Sequence, residues 1–251
     1  MLEFISVMFL GGGILLLFMF YEAHRNVVKI ENVKLPAFPK KSPPLSIFFI
    51  SDIHKRKVSD KIIDKVKVKA NMVIIGGDLL EKGVSWSKIE ENLDKLLSIG
   101  TVYFIWGNND YEVNGAKLKE MFTKKGVIEI INDSIQLPNS INLIGVDDAS
   151  LKRADFARAI KEVNPKDFNI LISHDPRLVN QVRIEHGIDI TMSGHTHGGQ
   201  IRLFGWGLYK KGSIEKLPQT VLLVSNGYGT TALPLRLGAR AETHLITLNA
   251  D

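Results

Sequence analysis

Short runs of apolar, β-prone residues recur along the chain, and polar residues follow each of them. LSIFFI (45–50), MVIIGG (72–77) and TVYFIW (101–106) contain no charged side chain. A strand with one wet face alternates apolar and polar residues, whereas an uninterrupted apolar run is typical of a strand that is buried on both faces. These runs restrict the fold to one in which a sheet is covered on both sides.

Helical patterns separate the first of these runs, and strand patterns dominate the end of the chain. Ser59 is predicted to cap the helix after the first run, and Ser87–Glu90 is predicted to form a capping box for the next helix. Further helices are predicted near 116–124, 151–163 and 177–187. Alternation followed by a β-rich tail predicts an α/β domain with two mixed β-sheets.

The segment from Phe4 to Tyr21 carries no charge, and Glu3 and Glu22 bracket it. At about 1.5 Å per residue it is long enough to cross a hydrocarbon core of roughly 30 Å. A cleaved signal peptide and a buried core helix are the alternatives, but the segment lacks the basic start and the small-residue cleavage site of a signal peptide. We therefore interpret residues 1–24 as a transmembrane anchor that passes once through the cell membrane.

Basic residues follow this anchor, while only the amino terminus and Glu3 precede it. The positive-inside rule therefore predicts that the large domain lies on the cytoplasmic face. The proline-rich residues 25–44 are expected to form a linker or an edge strand, and residues 45–251 to form the folded domain. The predicted membrane orientation depends on the basic residues Arg25, Lys29, Lys34, Lys40 and Lys41.

The composition excludes some kinds of site and partner. The chain of 251 residues has no cysteine, which rules out a disulfide framework and a thiolate zinc site. Its net charge of +5 suggests anionic partners such as phosphates or acidic lipid. No nucleic-acid-binding motif is present, and the basic segment 54–69 is typical of a solvated helix face, so nucleic acid is not the expected partner. The sequence leaves the oligomeric state open.

The residues that follow the buried runs are rich in metal-ligating side chains. Because the carboxyl ends of strands in open α/β sheets form the functional crevice, we expect these side chains to meet there. Carboxylate and amide oxygens mixed with imidazoles suit Mn²⁺, Fe or Zn²⁺. The pairs at 52/54 and 195/197 are expected on extended backbone, where alternate residues face the same way. The strand-end residues are Asp52, His54, Asp78, Asn108, Asn109, Asp110, His174, Asp175, His195 and His197.

Taken singly, each of these residues has an ordinary explanation. An aspartate after a strand is usually a turn former or a helix cap. A single histidine is usually a satisfied surface or core residue, and this is how we interpret His24, His186 and His244. Four of the seven histidines, however, fall at predicted strand ends together with acidic residues. This coincidence predicts a shared metal site.

The motifs DIH, GGD, GNND, SHDP and GHTHGGQ, in this order, resemble those of the calcineurin-like metallophosphoesterase superfamily. The continuation GHTHGGQIRL and the late segment NGYGTTALPLRLGARAETHLITL are similar to its bacterial membrane-associated branch. The resemblance covers about residues 27–248. It implies a four-layer αββα sandwich, in which two mixed β-sheets are flanked by helices, with a dinuclear metal centre at their shared edge.

The resemblance also implies a role for each candidate ligand. One side chain would bridge two divalent ions, and three further side chains would hold each ion. The implied ligands are Asp52, His54 and His197 for the first ion, Asn108, His174 and His195 for the second, and Asp78 for both.

Two divalent ions about 3.5–4 Å apart lower the pKa of a bridging water and offset charge on a phosphate during in-line attack. This predicts cleavage of a phosphodiester or pyrophosphate by a metal-bridged hydroxide, without a protein nucleophile. Asn109 stands where most of the family has a histidine that protonates the leaving oxygen, and Asp110 is the acid that would orient it. An amide cannot act as a general acid, so Asn109 favours substrates with good leaving groups.

We therefore expect a membrane-anchored, dinuclear-metal phosphohydrolase with Asn109 and Asp110 as its catalytic candidates. A lipid-linked or nucleotide-linked envelope substrate fits an active site beside an anchor. Two alternatives stay open. One is a metal-binding module with weak or no catalysis, which Asn109 favours, and the other is a metal-dependent nuclease.

Overall fold

The structure is a computed structural model that describes residues 1–251, apart from the side chain of residue 2. Its α-helices are α1 (Leu2–Ala23), α2 (Asp60–Val66), α3 (Trp86–Leu97), α4 (Gly115–Lys125) and α5 (Phe156–Ala159). Short 3₁₀ turns lie at Asn109–Glu112, Pro176–Gln181, Ile184–His186 and His197–Gly199. The strands are β1 (Val28–Lys34), β2 (Leu45–Ile50), β3 (Met72–Gly76), β4 (Thr101–Ile105), β5 (Ile128–Glu129), β6 (Asp133–Leu137), β7 (Ile141–Val146), β8 (Phe168–Ser173), β9 (Ile188–Ser193), β10 (Ser213–Lys216), β11 (Val221–Val224) and β12 (Thr243–Asn249).

The strands build two six-stranded mixed sheets, with the orders β1-β12-β2-β3-β4-β5 and β10-β11-β9-β8-β7-β6. In the first sheet β2 to β5 run parallel, and β12 lies antiparallel to β2. In the second sheet β7, β8, β9 and β11 run parallel, while β6 and β10 are antiparallel edge strands. The parallel strands of each sheet therefore present their carboxyl ends together, which is where functional side chains collect.

The packing of β2 explains why its sequence is apolar throughout. Ile47 and Phe49 point into the core between the two sheets, whereas Phe48 and Ile50 pack in the core that α2, α3 and α4 cover. On the outer face of the second sheet, a smaller cluster includes residues of α5 and of the turn at Pro176–Gln181. The layers are thus helix, sheet, sheet and helix, and the predicted αββα sandwich is confirmed.

Two predicted helices are much shorter than expected. In the 151–163 region only the single turn of α5 is α-helical, because Phe156 and Ala159 are its buried residues and one turn suffices to bury both. The 177–187 region forms two 3₁₀ turns that are separated at Val182, whose backbone is extended. This break lets the Val182 side chain enter the same buried cluster as Leu178.

The capping box predicted at Ser87–Glu90 is also wrong. The N-cap of α3 is Ser85, whose side chain accepts a hydrogen bond from the Lys88 amide at 3.4 Å. Capping by the earlier serine lets Trp86 begin the helix and pack against the core. Ser59 occupies the N-cap position of α2, as predicted, but its side chain makes no capping hydrogen bond.

Helix α1 projects from the sandwich with most of its side chains exposed. By length and composition it is able to span a membrane. Only its carboxyl end contacts the domain closely, because Met19 and Ala23 are buried there. Arg56 donates a hydrogen bond to the Ala23 carbonyl at 3.2 Å, and Glu22 pairs with Arg240 at 2.8 Å. These contacts fix the position at which α1 leaves the domain.

Candidate metal centre

The carboxyl ends of β2, β3, β4, β8 and β9 bring all seven predicted metal ligands to one edge of the sandwich. Both sheets therefore contribute to the site. The ligands are Asp52 and His54 after β2, Asp78 after β3, Asn108 after β4, His174 after β8, and His195 and His197 after β9. The other histidines, His24, His186 and His244, hydrogen-bond to Phe20, Arg183 and Ser225 respectively, away from this cluster.

Asp52, His54 and His197 form the first group, and their ligating atoms all lie within 4.8 Å of one another. The Nε2 atoms of His54 and His197 are 3.1 Å apart, and His197 Nε2 is 3.4 Å from Asp52 Oδ1. Two atoms that bind one ion with bonds of about 2.1 Å lie roughly 3–3.5 Å apart. The spacing within this group therefore fits a single metal ion.

Asn108, His174 and His195 form the second group, in which His195 Nδ1 is 2.9 Å from Asn108 Oδ1. The Nδ1 atom of His174 lies 2.8 Å from the Gly76 carbonyl, while its buried Nε2 has no hydrogen-bond partner among the described residues. Because a carbonyl only accepts, Nδ1 carries a proton, and Nε2 is the nitrogen that faces the site. Near the Asp52 and Asp78 carboxylates, this buried Nε2 suits a positively charged partner, either its own proton or a metal ion in place of that proton.

Asp78 lies between the two groups. Its Oδ2 is 3.8 Å from His54 Nε2 and 3.3 Å from His174 Nε2. Its Oδ1 accepts a hydrogen bond from the Asn109 amide at 2.8 Å. One oxygen therefore supports the backbone, and the other is available to both groups of ligands.

Five of the candidate ligands have left-handed backbone conformations, which L-residues rarely adopt. They are Asp52 (φ 54°), His54 (φ 50°), Asp78 (φ 51°), His195 (φ 69°) and His197 (φ 49°). The extended geometry expected for the 52/54 and 195/197 pairs is therefore wrong, since β2 ends at Ile50 and β9 at Ser193, before the ligands begin. Each such residue costs about 1–2 kcal/mol, and strain of this kind concentrates at functional sites.

Two glycines allow the ligand-bearing turns to approach each other. A Cβ atom on Gly77, whose φ is 89°, would lie 2.4 Å from His174 Nδ1. A Cβ atom on Gly194 would lie 2.5 Å from Asp52 Oδ2. Both distances are too short for non-bonded atoms, so these positions require glycine for the centre to assemble.

Charged groups behind the ligands hold the imidazole rings. Glu81 Oε2 lies 3.1 Å from His54 Nδ1, which leaves His54 Nε2 free to face the site. On the other side, the fully buried Arg236 contacts His197 Nδ1 at 3.1 Å and donates to the Ala239 carbonyl at 2.9 Å. The ring orientations therefore depend on Glu81, which lies outside the quoted motifs, and on Arg236, which lies in the late segment 226–248.

The carboxylates favour positive charge at His174 and His54, whereas burial and the neighbouring Arg236 lower the pKa of His197 well below its usual value. Burial alone would lower the pKa of His174, but Asp78 and Asp52 raise that pKa well above its usual value. For His54, burial is likewise outweighed by Glu81, Asp78 and Asp52, and the pKa of His54 is raised. A buried environment that stabilises an imidazolium also attracts metal cations.

Asp148 is a site residue that the sequence analysis missed. Its Oδ1 accepts a hydrogen bond from the Leu151 amide at 2.8 Å, whereas its buried Oδ2 has no such partner within the described part of the chain. It groups with His174 and His195, with the ligating atoms within 4.8 Å of one another. Asp148 follows β7, so the strand-end criterion would have found it had it been applied to INLIGV (141–146).

The two predicted catalytic residues have different environments. Asn109 accepts a hydrogen bond from Asn108 Nδ2 at 3.0 Å and donates one to Glu112 at 2.9 Å. Asp110 is fully buried and accepts from the Asp78 amide at 2.8 Å. The side chain of Asn109 therefore contacts Glu112 rather than Asp110 in this structure, and Asp110 supports the turn that carries Asp78.

A cleft opens above the ligands, and polar and apolar residues line different parts of it. The polar lining includes Asp78, Asn108, Asn109, His195 and His197. The apolar lining includes Ile201, Leu208 and Leu233. A molecule that reaches the ligands therefore contacts apolar side chains on its way in.

Comparisons with known proteins agree with this geometry. The profile of the calcineurin-like phosphoesterase family matches residues 45–199. A chain of Bacillus subtilis (strain 168), named "Uncharacterized protein YpbG", is 45% identical over 229 residues, which is 88% of each chain. An "Uncharacterized metallophosphoesterase" of Helicobacter pylori (strain ATCC 700392 / 26695) is 30% identical over 223 residues, which cover 81% of this chain and 60% of that one.

The fold is also similar to that of a solved structure, the crystal structure of a 5'-nucleotidase precursor from Thermus thermophilus. The TM-score is 0.53 at 12% sequence identity, and the match covers 82% of this chain and 55% of that one. At this identity the likeness concerns the fold alone. The family profile and the curated relatives carry the assignment, and the metal-ligand groups agree with it. The chain therefore belongs to the calcineurin-like phosphoesterase family and is a metal-dependent phosphoesterase.

Proposed function

We propose that the chain is a membrane-anchored phosphohydrolase that uses two divalent metal ions to cleave a phosphodiester or pyrophosphate bond. The observation that carries this proposal is the position of Asp78 Oδ2, which lies 3.8 Å from His54 Nε2 of the first group and 3.3 Å from His174 Nε2 of the second. A dinuclear centre needs a ligand that both ions share, and this oxygen is suitably placed for that role.

The donor set suits ions that accept both oxygen and nitrogen ligands, so Mn²⁺, Fe and Zn²⁺ are the candidates. When bound, such ions supply an activated water near neutral pH and offset charge on the phosphate oxygens. The chain itself holds the ligands in place, through Glu81 behind His54 and the Gly76 carbonyl behind His174. The proposed ligands are Asp52, His54 and His197 for one ion, Asn108, His174 and His195 for the other, and Asp78 for both.

Asn109 determines which leaving groups suit this site. Its amide donates a hydrogen bond but has no proton to transfer. Its NH₂ group also donates to Glu112 at 2.9 Å. Substrates whose leaving group departs without an acid, such as activated phosphodiesters and pyrophosphates, therefore fit better than alkyl phosphate monoesters.

Helix α1 supports the membrane part of the proposal, because its apolar side chains are exposed along most of the helix. In this proposal residues 1–24 cross the membrane once, and the cations that follow keep the domain on the cytoplasmic face. Residues 25–44 then connect the anchor to the phosphoesterase domain at 45–251. Strand β1 lies within this connection and pairs with β12.

Metal analysis together with turnover tests the proposal. The full chain, purified in detergent and incubated with Mn²⁺, Zn²⁺ or Fe²⁺, is expected to bind about two ions and to hydrolyse bis-p-nitrophenyl phosphate. The variant His174→Ala should lose metal and turnover together. The matched variant His186→Ala, which removes a histidine outside the cluster, should keep both. Two bound ions without turnover of any phosphodiester or pyrophosphate would overturn the enzymatic proposal.

A metal-binding module with weak or no catalysis is the second candidate. The observation that favours it is the engagement of the Asn109 side chain with Asn108 on one side and Glu112 on the other. In that case the amide serves to hold a ligand rather than to assist a leaving group. The same assay separates the two candidates, because only the metal-binding module predicts bound metal without turnover.

A further inference from the structure

An exposed apolar hairpin, residues 201–209, follows the last metal-ligand motif. Phe204 is 101% exposed, Leu208 92% and Trp206 84%. Backbone hydrogen bonds of 2.9 and 2.8 Å between Leu203 and Trp206 close the hairpin, so its turn is ordered. Exposing a cluster of large apolar side chains to water is unfavourable. Such a cluster marks a surface that contacts a membrane or another protein.

Arg202 ties this hairpin to the metal centre. Its guanidinium donates to the Gly198 carbonyl at 2.9 Å and to the Gly205 carbonyl at 2.7 Å. Its backbone amide donates to the Leu237 carbonyl at 2.8 Å. The hairpin is therefore held between the turn that carries His197 and the segment 233–238.

The segment 233–238 connects the hairpin to α1. The Arg236 amide donates to the Met19 carbonyl of α1 at 3.0 Å. Leu235 lies in an apolar cleft with side chains of α1 that include Leu16 and Phe20. When α1 crosses a bilayer, Leu235 lies beside the part of the helix that enters the hydrocarbon. The hairpin is linked to α1 through the segment 233–238, so it then lies at the surface of the bilayer.

The residue types around the hairpin suit the interface between lipid and water. Trp206 and Tyr209 belong to the two residue types that are enriched at headgroup level. Lys210 and Lys211 follow directly and are exposed, but Lys210 pairs with Glu215 at 2.7 Å. Lys211 also lines a cleft together with Phe18 of α1. The Lys211 ammonium beside exposed apolar side chains favours a membrane with anionic headgroups over a neutral protein partner.

The same apolar elements form part of the cleft above the metal ligands. Ile201 and Leu208 of the hairpin and Leu233 of the connecting segment line this cleft together with Asn109 and His195. When a phosphate reaches the ligands from the hairpin side, the groups esterified to it lie against these apolar side chains. An acyl chain suits these side chains better than a nucleoside or a sugar does.

We propose that the hairpin docks on the bilayer beside α1, so that the cleft opens onto the lipid surface and receives an amphiphilic phosphodiester or pyrophosphate whose acyl part stays in the membrane. The substrate class rests on the proposed phosphohydrolase function. The docking itself rests on the hairpin and its position beside α1, and it is tested separately.

Docking is tested by the fluorescence of the full chain in phosphatidylcholine/phosphatidylglycerol vesicles with brominated acyl chains. Trp206 is exposed, whereas Trp106 is buried and Trp86 is half-buried in the domain. We expect brominated lipid to quench the emission of the wild-type chain and to leave that of the Trp206→Ser variant nearly unquenched. Equal quenching of the two chains, or none in either, would overturn the docking. Absence of quenching together with cross-linked dimers would assign the hairpin to a second copy of the chain.

Substrate entry is tested with two esters that share one leaving group, namely phosphatidyl-p-nitrophenol in vesicles and bis-p-nitrophenyl phosphate in water. For the variant Phe204→Ser/Trp206→Ser we expect at least about a tenfold loss on the lipid ester and a change within about twofold on the soluble ester. The control is Val68→Ser/Ile184→Ser. Val68 follows α2 and is 88% exposed, and Ile184 lies in the turn before β9 and is 71% exposed. This control should leave both rates unchanged.

The outcomes separate this inference from the function on which it rests. Equal losses on both esters would make the hairpin a structural element of the active site and would overturn entry from the membrane, as would unchanged rates on both. If the metal-loaded wild-type chain hydrolyses neither ester and no pyrophosphate, the phosphohydrolase proposal fails. The quenching experiment then still decides whether the hairpin docks on the bilayer.

Discussion

The two oxygens of Asp78 have different partners, and this separates the folding role of the residue from its proposed metal role. Oδ1 accepts a hydrogen bond from the backbone N–H of Asn109, while Oδ2 lies between the two groups of ligands. In an Asp78→Asn variant the amide oxygen can keep the backbone contact, which turns the NH₂ group toward the ligands. An NH₂ group only donates, so it opposes a cation where the carboxylate favoured one.

We therefore expect Asp78→Asn to fold but to lose turnover by at least about 100-fold, more than the loss typical of residues behind a metal ligand. Metal analysis and turnover of bis-p-nitrophenyl phosphate provide the measurement. Asp64→Asn, at an exposed position of α2, is the matched control and should behave as wild type. A variant at position 78 with full metal content and near-normal turnover would contradict the shared role of this carboxylate.

The family resemblance implies a histidine at position 109, and the substitution Asn109→His tests what the side-chain amide of Asn109 does. If Asn109 lies at the leaving-group position, histidine supplies an acid, which contributes about 10²–10⁴-fold where the leaving group is poor. We expect the variant to raise turnover of alkyl phosphodiesters relative to p-nitrophenyl esters by at least about tenfold. The ratio of the two rates is the measurement.

The control for this change is Asn109→Ala, which removes the contact with Asn108 without adding an acid. It should lower both rates together. Equal responses of alkyl and p-nitrophenyl esters to histidine would show that position 109 is remote from the leaving oxygen. If the histidine variant, like the alanine variant, loses turnover of both esters, the main role of the Asn109 side chain is to hold Asn108 in place.

Among the elements, β12 joins the amino-terminal strand to the rest of the first sheet, since it pairs with β1 on one side and β2 on the other. Glu242 precedes β12 and is 2% exposed. Its carboxylate lies 2.8 Å from Lys29 Nζ of β1 and accepts from the Asn226 amide at 3.0 Å. Burial acts to raise the pKa of Glu242, but His244, Lys29 and the Asn226 amide outweigh it and lower that pKa to about 2.

This lowered pKa makes a contribution to stability that depends on pH. A fall from 4.5 to about 2 corresponds to about 3 kcal/mol in favour of the folded state above pH 4.5, and this contribution is lost as the pH falls from 4.5 toward 2. We expect Glu242→Gln to lower the urea midpoint of unfolding clearly at pH 7, with the difference shrinking below pH 4.5. The exposed control Glu120→Gln should show no such difference. A deficit at position 242 that stays constant from pH 7 to pH 3 would refute the electrostatic account.

At the scale of the whole molecule, the sandwich and α1 are expected to be separable, because every proposed metal ligand follows residue 45. A chain truncated to residues 27–251 loses the pairing of Glu22 with Arg240 but keeps β1 and both sheets. We expect it to fold, to bind metal and to hydrolyse soluble esters at a rate close to that of the full chain. Circular dichroism, metal analysis and turnover provide the measurement.

The truncated chain carrying His174→Ala is the control and should fold without its full metal content. A truncated chain that is soluble and folded but free of metal after Mn²⁺ supplementation would show that α1 is needed to assemble the centre. Activity on lipid substrates is expected to fall in the truncated chain, because both α1 and the docking of the hairpin beside it are affected.

The layers of the fold and the ligands of the candidate centre were predictable because they depend on local patterns. An apolar run such as residues 45–50 indicates a strand covered on both faces, whatever covers it. The position directly after such a strand identifies Asp52 or Asp78 as a strand-end residue without knowledge of the neighbouring strands. Burial on both faces and position along a strand are properties of short segments, so they are visible in the sequence.

Contacts between segments that are distant in sequence were decided only by the tertiary structure. Arg236 contacts His197 from the late segment 226–248, and the sequence of that segment reveals neither this contact nor the complete burial of Arg236. The left-handed backbone of the ligands, and the close approach of Gly77 to His174 and of Gly194 to Asp52, arise only when the turns of both sheets meet. The exposure of the apolar residues 201–209, and their link to α1 through the segment 233–238, likewise appear only in the folded chain. Local residue preferences amount to at most about 1 kcal/mol per residue, so the sum of many long-range contacts determines each of these features.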